Sequence, residues 1–190
     1  MKHVILICFL PFFFTGCFED DEDATRNPEY PMQSLLDGLI VTNTETNTGF
    51  LMEFGYEFRP LENGTIRSFR LNLPVTADYR VTLWDPLTKN TILSTTIAAG
   101  AGAYSDSFEI SVPVTAMKKY VISVQSEHWS RHTLESNGDF LPRQMGAIEI
   151  LRYAENVTNQ TDRPYAQLFP DLYYADFMQG VVDIGFVPEE

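Results

Sequence analysis

Large apolar side chains recur at every second position from Phe50: Phe50, Met52, Phe54, Tyr56 and Phe58 alternate with Leu51, Glu53, Gly55 and Glu57. A two-residue period puts the first set on one face of a strand and the second set on the other. Phe69, Leu71 and Leu73 repeat the pattern, as do Tyr79, Val81 and Leu83, then Tyr104 to Val112 in steps of two, then Tyr120, Ile122 and Val124, and finally Val182, Ile184 and Phe186. Turn formers separate the runs: Asn63-Gly64, Pro74, Asp85-Pro86, the stretch from Gly100 to Gly102, and Pro113. Many short alternating strands between such turns predict an all-β fold, an antiparallel, jelly-roll-like β-sandwich with one face of each sheet buried. The domain is placed at residues 34–190. Residues 34–42 fit either a short helix or a further strand. Residues 127–176 are less regular and predict long loops with one strand near Ala147 to Tyr153.

The first residues follow another rule. A basic start (Met1, Lys2, His3) leads into an apolar stretch from Val4 to Phe14, too short for a membrane-spanning helix but of the length of a signal-peptide core. Phe14-Thr15-Gly16-Cys17 resembles a bacterial lipobox, with Phe14 where Leu is more usual. The resemblance implies that residues 1–16 are removed and that Cys17 carries lipid chains, two or three of which make a stable anchor. Five acids follow, Glu19, Asp20, Asp21, Glu22 and Asp23. Such a block reads as a solvated spacer, and it resembles the surface-export signal of Bacteroidetes lipoproteins. The expected location is the outer membrane, lipid-anchored and facing the exterior, with the periplasmic face as the alternative. Residues 17–33, with Pro28 and Pro31, read as the acylated Cys and a flexible tether. Once Cys8 is removed with the signal peptide, Cys17 is the one cysteine left, so no disulfide or thiol chemistry is available to the domain.

The formal net charge is −13. A chain so acidic is repelled by phosphate backbones, which excludes nucleic acid as a natural partner. Neutral sugars, cations and basic surfaces remain.

The order of motifs is also suggestive. Gly64-Thr65-Ile66-Arg67-Ser68-Phe69-Arg70-Leu71, then Tyr79 to Asp85, Ile92-Leu93-Ser94, Phe108 to Val114, Tyr120 to Ser123, Leu168-Phe169-Pro170 and Val182 to Phe186 together resemble the bacterial domain of unknown function numbered 4082. The likeness covers about residues 49–187 and departs from the family around residues 127–166. It implies an extracellular β-sandwich and supplies no catalytic residue.

Candidate ligand-binding residues are Trp84, Trp129, His128 and His132. His128 and His132 fall on nearly one side of a strand or of a helix, which suits rim residues or half of a metal site. Trp84 lies opposite Tyr79, Val81 and Leu83 in parity, as a sugar-stacking platform or as a ring packed under a loop. Trp129 is expected in a loop, where binding residues concentrate, and Tyr165, Tyr173 and Tyr174 could extend an aromatic surface. Asp78, Asp85, Asp171 and Asp176 sit at turns, serving the backbone; a structural calcium is compatible with them, but no calcium-loop pattern is present and no cofactor is assigned. Asp106 has core parity, which suits a strand edge or bulge. No GxSxG elbow is present, and among 26 acids no glycosidase pair stands out. The expected function is a non-catalytic, lipid-anchored module that binds a glycan or a partner protein. The alternative is a structural or assembly component of an envelope complex, and a lipid-anchored hydrolase comes last.

Overall fold

The computed structural model describes residues 26–107, 110–134, 140–157, 168–175 and 178–189. Cys8, Cys17, the run Glu19, Asp20, Asp21, Glu22 and Asp23, and also Phe108, Tyr165 and Asp176 lie outside the described residues. The elements are α1 (Pro31–Asp37), β1 (Val41–Pro60), β2 (Gly64–Asn72), β3 (Ala77–Asp85), β4 (Asn90–Ala99), β5 (Ser105–Ser107), β6 (Val112–Val114), β7 (Tyr120–Leu134), β8 (Arg143–Met145), β9 (Ile148–Val157), β10 (Leu172–Tyr174), β11 (Met178–Gln179) and β12 (Val181–Pro188). They form the expected antiparallel sandwich. The larger sheet runs β10-β9-β1-β7-β3-β4, with β11 beside β7 and β8 beside β9; the smaller runs β12-β2-β5, with β6 beside β2.

The alternation in the sequence marks the inner faces. Met52, Phe54, Tyr56 and Phe58 of β1 join Phe69 and Leu71 of β2, Tyr79, Val81 and Leu83 of β3, Tyr120, Ile122 and Val124 of β7, and Ile184 and Phe186 of β12 in one core. Close packing between the sheets leaves no room for a side chain at Gly180, whose φ of +61° turns the chain from β11 into β12 and whose Cβ would meet the Phe54 ring.

Three features differ from the sequence reading. First, β7 does not end near Gln125 but continues to Leu134, paired with β1 from Val41 to Thr48. The interruption is a bulge: β1 takes four steps from Thr48 to Met52 where β7 takes two from His128 to Ser126, and Gly49 supplies the φ of +114° that the bulge needs. The bulge leaves parity intact, so Thr44, Thr46, Ser130 and His132 continue the inner faces past the core. Second, the Tyr104–Val112 alternation forms only the short strand β5 and, past the two undescribed residues 108–109, β6; Asp106 is accounted for by Arg70, which donates to both its oxygens at 2.6 and 2.8 Å.

Third, the segment read as tether is docked from residue 26 onward. Glu29 and Phe186 exchange backbone hydrogen bonds of 2.8 and 2.9 Å, so the segment runs antiparallel to β12 and covers its edge. Pro31 opens α1 at a position where a missing N–H costs nothing, and Met32 and Leu35 are buried. Tyr30, the N-cap, makes no side-chain cap. Asp183 of β12 does so instead, accepting from Met32 N at 3.1 Å, Gln33 N at 2.8 Å, its neighbour Ile184 N at 2.9 Å and the Tyr56 hydroxyl of the opposite sheet at 2.8 Å. The open choice at residues 34–42 therefore resolves as the end of a helix, a turn and the start of β1.

Asp183 is fully buried, and burial pushes its carboxyl up to about 6; the four donors pull against that shift, so it is a carboxylate at neutral pH. Asp183→Ala leaves two helix N–H groups and a phenol without an acceptor and should cost roughly 3 kcal/mol or more in chemical denaturation, since each buried donor left unsatisfied costs about 1–3 kcal/mol. Asp183→Asn keeps the shape and should cost less. An alanine variant within about 0.5 kcal/mol of the parent, as at an ordinary surface site, would contradict this assignment.

Candidate functional site

The four residues singled out in the sequence do not converge. Trp84 is 3% exposed, so it is no stacking platform. Its Nε1 donates to Ser123 Oγ at 2.7 Å, and Phe169 meets the indole edge-on at 5.6 Å. Trp129 lies in β7 opposite Asn47, not in a loop, and packs half-buried against the main core. His128 is in the same strand, its backbone N–H held by Ser126 Oγ at 2.9 Å. His128 and His132 share a face, but four strand residues separate them by about 13 Å, too far for a common ion with bonds near 2 Å. Among the described residues no group of three or more His, Cys, Asp or Glu is placed to hold a metal. Asp85 caps its turn, accepting from Leu87 N and Thr88 N, and Asp171 pairs with Lys89 at 3.0 Å.

Of the four, His132 lines a cleft. The gap of about 450 Å³ opens where the two sheets part, beyond the last core layer. The β1–β7 extension supplies Thr44, Thr46, Ser130 and His132; the smaller sheet and its loops supply Asn72 and Tyr104. Leu36, Val41, Pro74, Gly102 and Val181 complete the lining, so that none of its eleven residues carries a formal charge. Tyr104 is 40% exposed, and burial holds its hydroxyl above the usual phenol range, so it is a neutral donor and acceptor. Burial pushes the His132 imidazole below its ordinary value, and its Nδ1 lies 3.2 Å from Thr44 Oγ1. In a chain of net charge −13 this cleft is a neutral, hydroxyl-rich enclave with one aromatic face.

A second polar region sits on the outer face of the larger sheet. That face was expected to be solvated, yet Glu53 and Glu57 are buried, because Phe169 and Tyr173 cover it together with Trp84, Val121 and Ala154. Glu57 is held by Arg152 at 2.7 Å and Lys119 at 3.1 Å. Glu53 accepts from Ser123 Oγ at 2.6 Å, while Arg80 stands 3.8 Å from its other oxygen. Burial pushes the Glu53 carboxyl up to about 7, against the opposing pull of Ser123 and Arg80. Two strand steps of like parity put Glu53 and Glu57 about 13 Å apart along β1, beyond the carboxylate spacing of either class of glycosidase. Nothing among the described residues indicates catalysis.

Comparison with protein-family models finds no match to this chain, and comparison with curated proteins finds none either. The likeness to the domain of unknown function 4082 therefore rests on its motifs alone.

Glu53 makes stability depend on pH. Its folded value lies above the unfolded one of 4.5, so the folded state binds more protons in between and stability falls as pH rises from about 4.5 to 7. Asp183, raised from 3.8 to about 6, adds a loss of the same sign at the lower end. Urea denaturation at successive pH values should show this decline, and Glu53→Gln should flatten the part between pH 6 and 7. A parent stability that rises across that window would refute the assignment.

Proposed function

We propose that this protein is a lipid-anchored cell-surface module that binds a neutral glycan without catalysis, in the cleft between Tyr104 and His132. The observation that carries the reading is the neutrality of the lining in so acidic a chain. A sugar presents hydroxyls in fixed directions and one apolar ring face. Thr44, Thr46, Asn72, Ser130 and His132 offer donors and acceptors to the first, and Tyr104 offers a ring to the second. The cleft is of the size that small ligands occupy. No charged side chain lines it, so it selects against ions. The anchor and the outward location rest on Cys17 and on the run from Glu19 to Asp23.

A glycan array probed with the mature protein should give neutral oligosaccharide hits, and Tyr104→Ala should weaken them about fivefold, since a well-placed aromatic contact contributes on the order of 1 kcal/mol. Because burial holds the His132 imidazole below its ordinary value of 6.5, affinity should stay level from pH 8 down to that value and fall only in more acidic buffer. Hits that are all acidic, or that Tyr104→Ala leaves intact, would reject this site. An array without hits would favour the envelope-scaffold alternative.

A further inference from the structure

One end of the sandwich gathers the lysines that follow Lys2, and the described chain starts at that end. Arg26, the first described residue, donates to Pro188 O at the end of β12. The next residue along, Glu189, donates its N–H to Asn63 O, and Asn63 Oδ1 accepts from Ala116 N at 2.9 Å. Met117 N donates to Pro60 O at 2.7 Å, and Lys118 pairs with Asp85 at 3.1 Å. The root of the tether, the β1–β2 turn, the β6–β7 turn and the β3–β4 turn are therefore one end of the molecule.

Two of these turns push large apolar side chains into solvent. Leu87 is 91% exposed and Met117 57% exposed, the latter at a φ of +63° that a methionine rarely adopts. Lys89, Lys118 and Lys119 stand beside them, and these are all the lysines of the chain after Lys2. Asp85, Asp171 and the buried Glu57 pair with these lysines, and Glu62 and Glu189 are exposed at the same end. With Arg26, and with Arg152 which also pairs Glu57, the five described bases of this end match its five described acids, where the whole chain is at −13. Apolar tips flanked by long amines suit a membrane interface, where the tips enter the headgroup layer and the amines reach phosphates.

The opposite end holds the cleft. Val181, which lines it, is seven residues of β12 away from Pro188, about 23 Å along the strand. Nine residue steps separate Cys17 from Arg26, which limits that stretch to about 30 Å.

We propose that the sandwich stands on the lipid surface that holds its anchor, with Leu87 and Met117 in the headgroup layer and the neutral cleft facing away. This orientation rests on acylation of Cys17, and it deepens the proposed function: the cleft receives a glycan from the medium and not one embedded in the supporting membrane.

The test uses the full mature lipoprotein in vesicles of phosphatidylethanolamine and phosphatidylglycerol carrying a headgroup nitroxide quencher. Acylated Cys17 is not labelled, so a fluorophore on Glu62→Cys or on Thr46→Cys reports one end each. The label at 62 should be quenched several-fold more than the label at 46. Adding Leu87→Ser and Met117→Ser should bring the two close to equality. Equal quenching without those changes would overturn the orientation. A difference that survives them would overturn the contact and leave the tether alone as its cause. If the protein fails to float with the vesicles, the anchor itself is refuted, and the orientation falls with it.

Discussion

One buried carboxylate ties three parts of this protein together. Asp183 sits in β12, caps a helix that precedes β1, and accepts a phenol from the middle of β1 in the other sheet. A charge taken out of water is costly unless every acceptor site is used, and here four donors converge on it. The same convergence supplies what α1 lacks, since a seven-residue helix with no side chain of its own at the N-cap has little intrinsic stability. A second tie supports it: the Arg70 guanidinium lies 3.5 Å from the Tyr30 ring centre and donates to Gln33 at 2.6 Å, while Asp106 fixes its other side.

The rest of the arrangement follows from that clamp. Holding residues 29–37 along β12 covers an edge that would otherwise be open to pairing with another chain, and it fixes where the chain enters the domain. Entry beside Pro188 sets the cleft, lined by Val181 at the other end of the same strand, on the far side of the core. The distance between the proposed lipid anchor and the proposed ligand is in this sense set largely by one strand.

The inner faces were legible because large apolar side chains fall at every second position from Met52 to Phe58, and again from Phe69 to Leu71, from Tyr79 to Leu83 and from Tyr120 to Val124, even where the residues between them are buried too. The outer face was not. Glu53 and Glu57 read as solvated because they are charged, and their cover, Phe169 and Tyr173, lies more than a hundred residues later in the chain. Pro28 and Pro31 read as tether because proline breaks regular structure, yet Pro31 opens a helix whose cap comes from residue 183. Trp129 read as a loop residue because the polar run from Gln125 to His128 hides a strand that continues past a bulge. Of the cleft, only His132 was singled out beforehand; its lining comes from distant segments, each an unremarkable stretch of threonine, serine or asparagine.

Hydrogen exchange of the native protein, read amide by amide, tests the clamp most directly. If Asp183 makes α1 part of the cooperative unit, Met32 and Gln33 amides should exchange only through global unfolding, with the same free energy and the same denaturant dependence as Phe54 and Ile122 in the core. Exchange of Met32 and Gln33 through a local opening, several kcal/mol easier than that of the core and insensitive to denaturant, would show that the segment is merely laid on the sandwich, and the account built on Asp183 would fail.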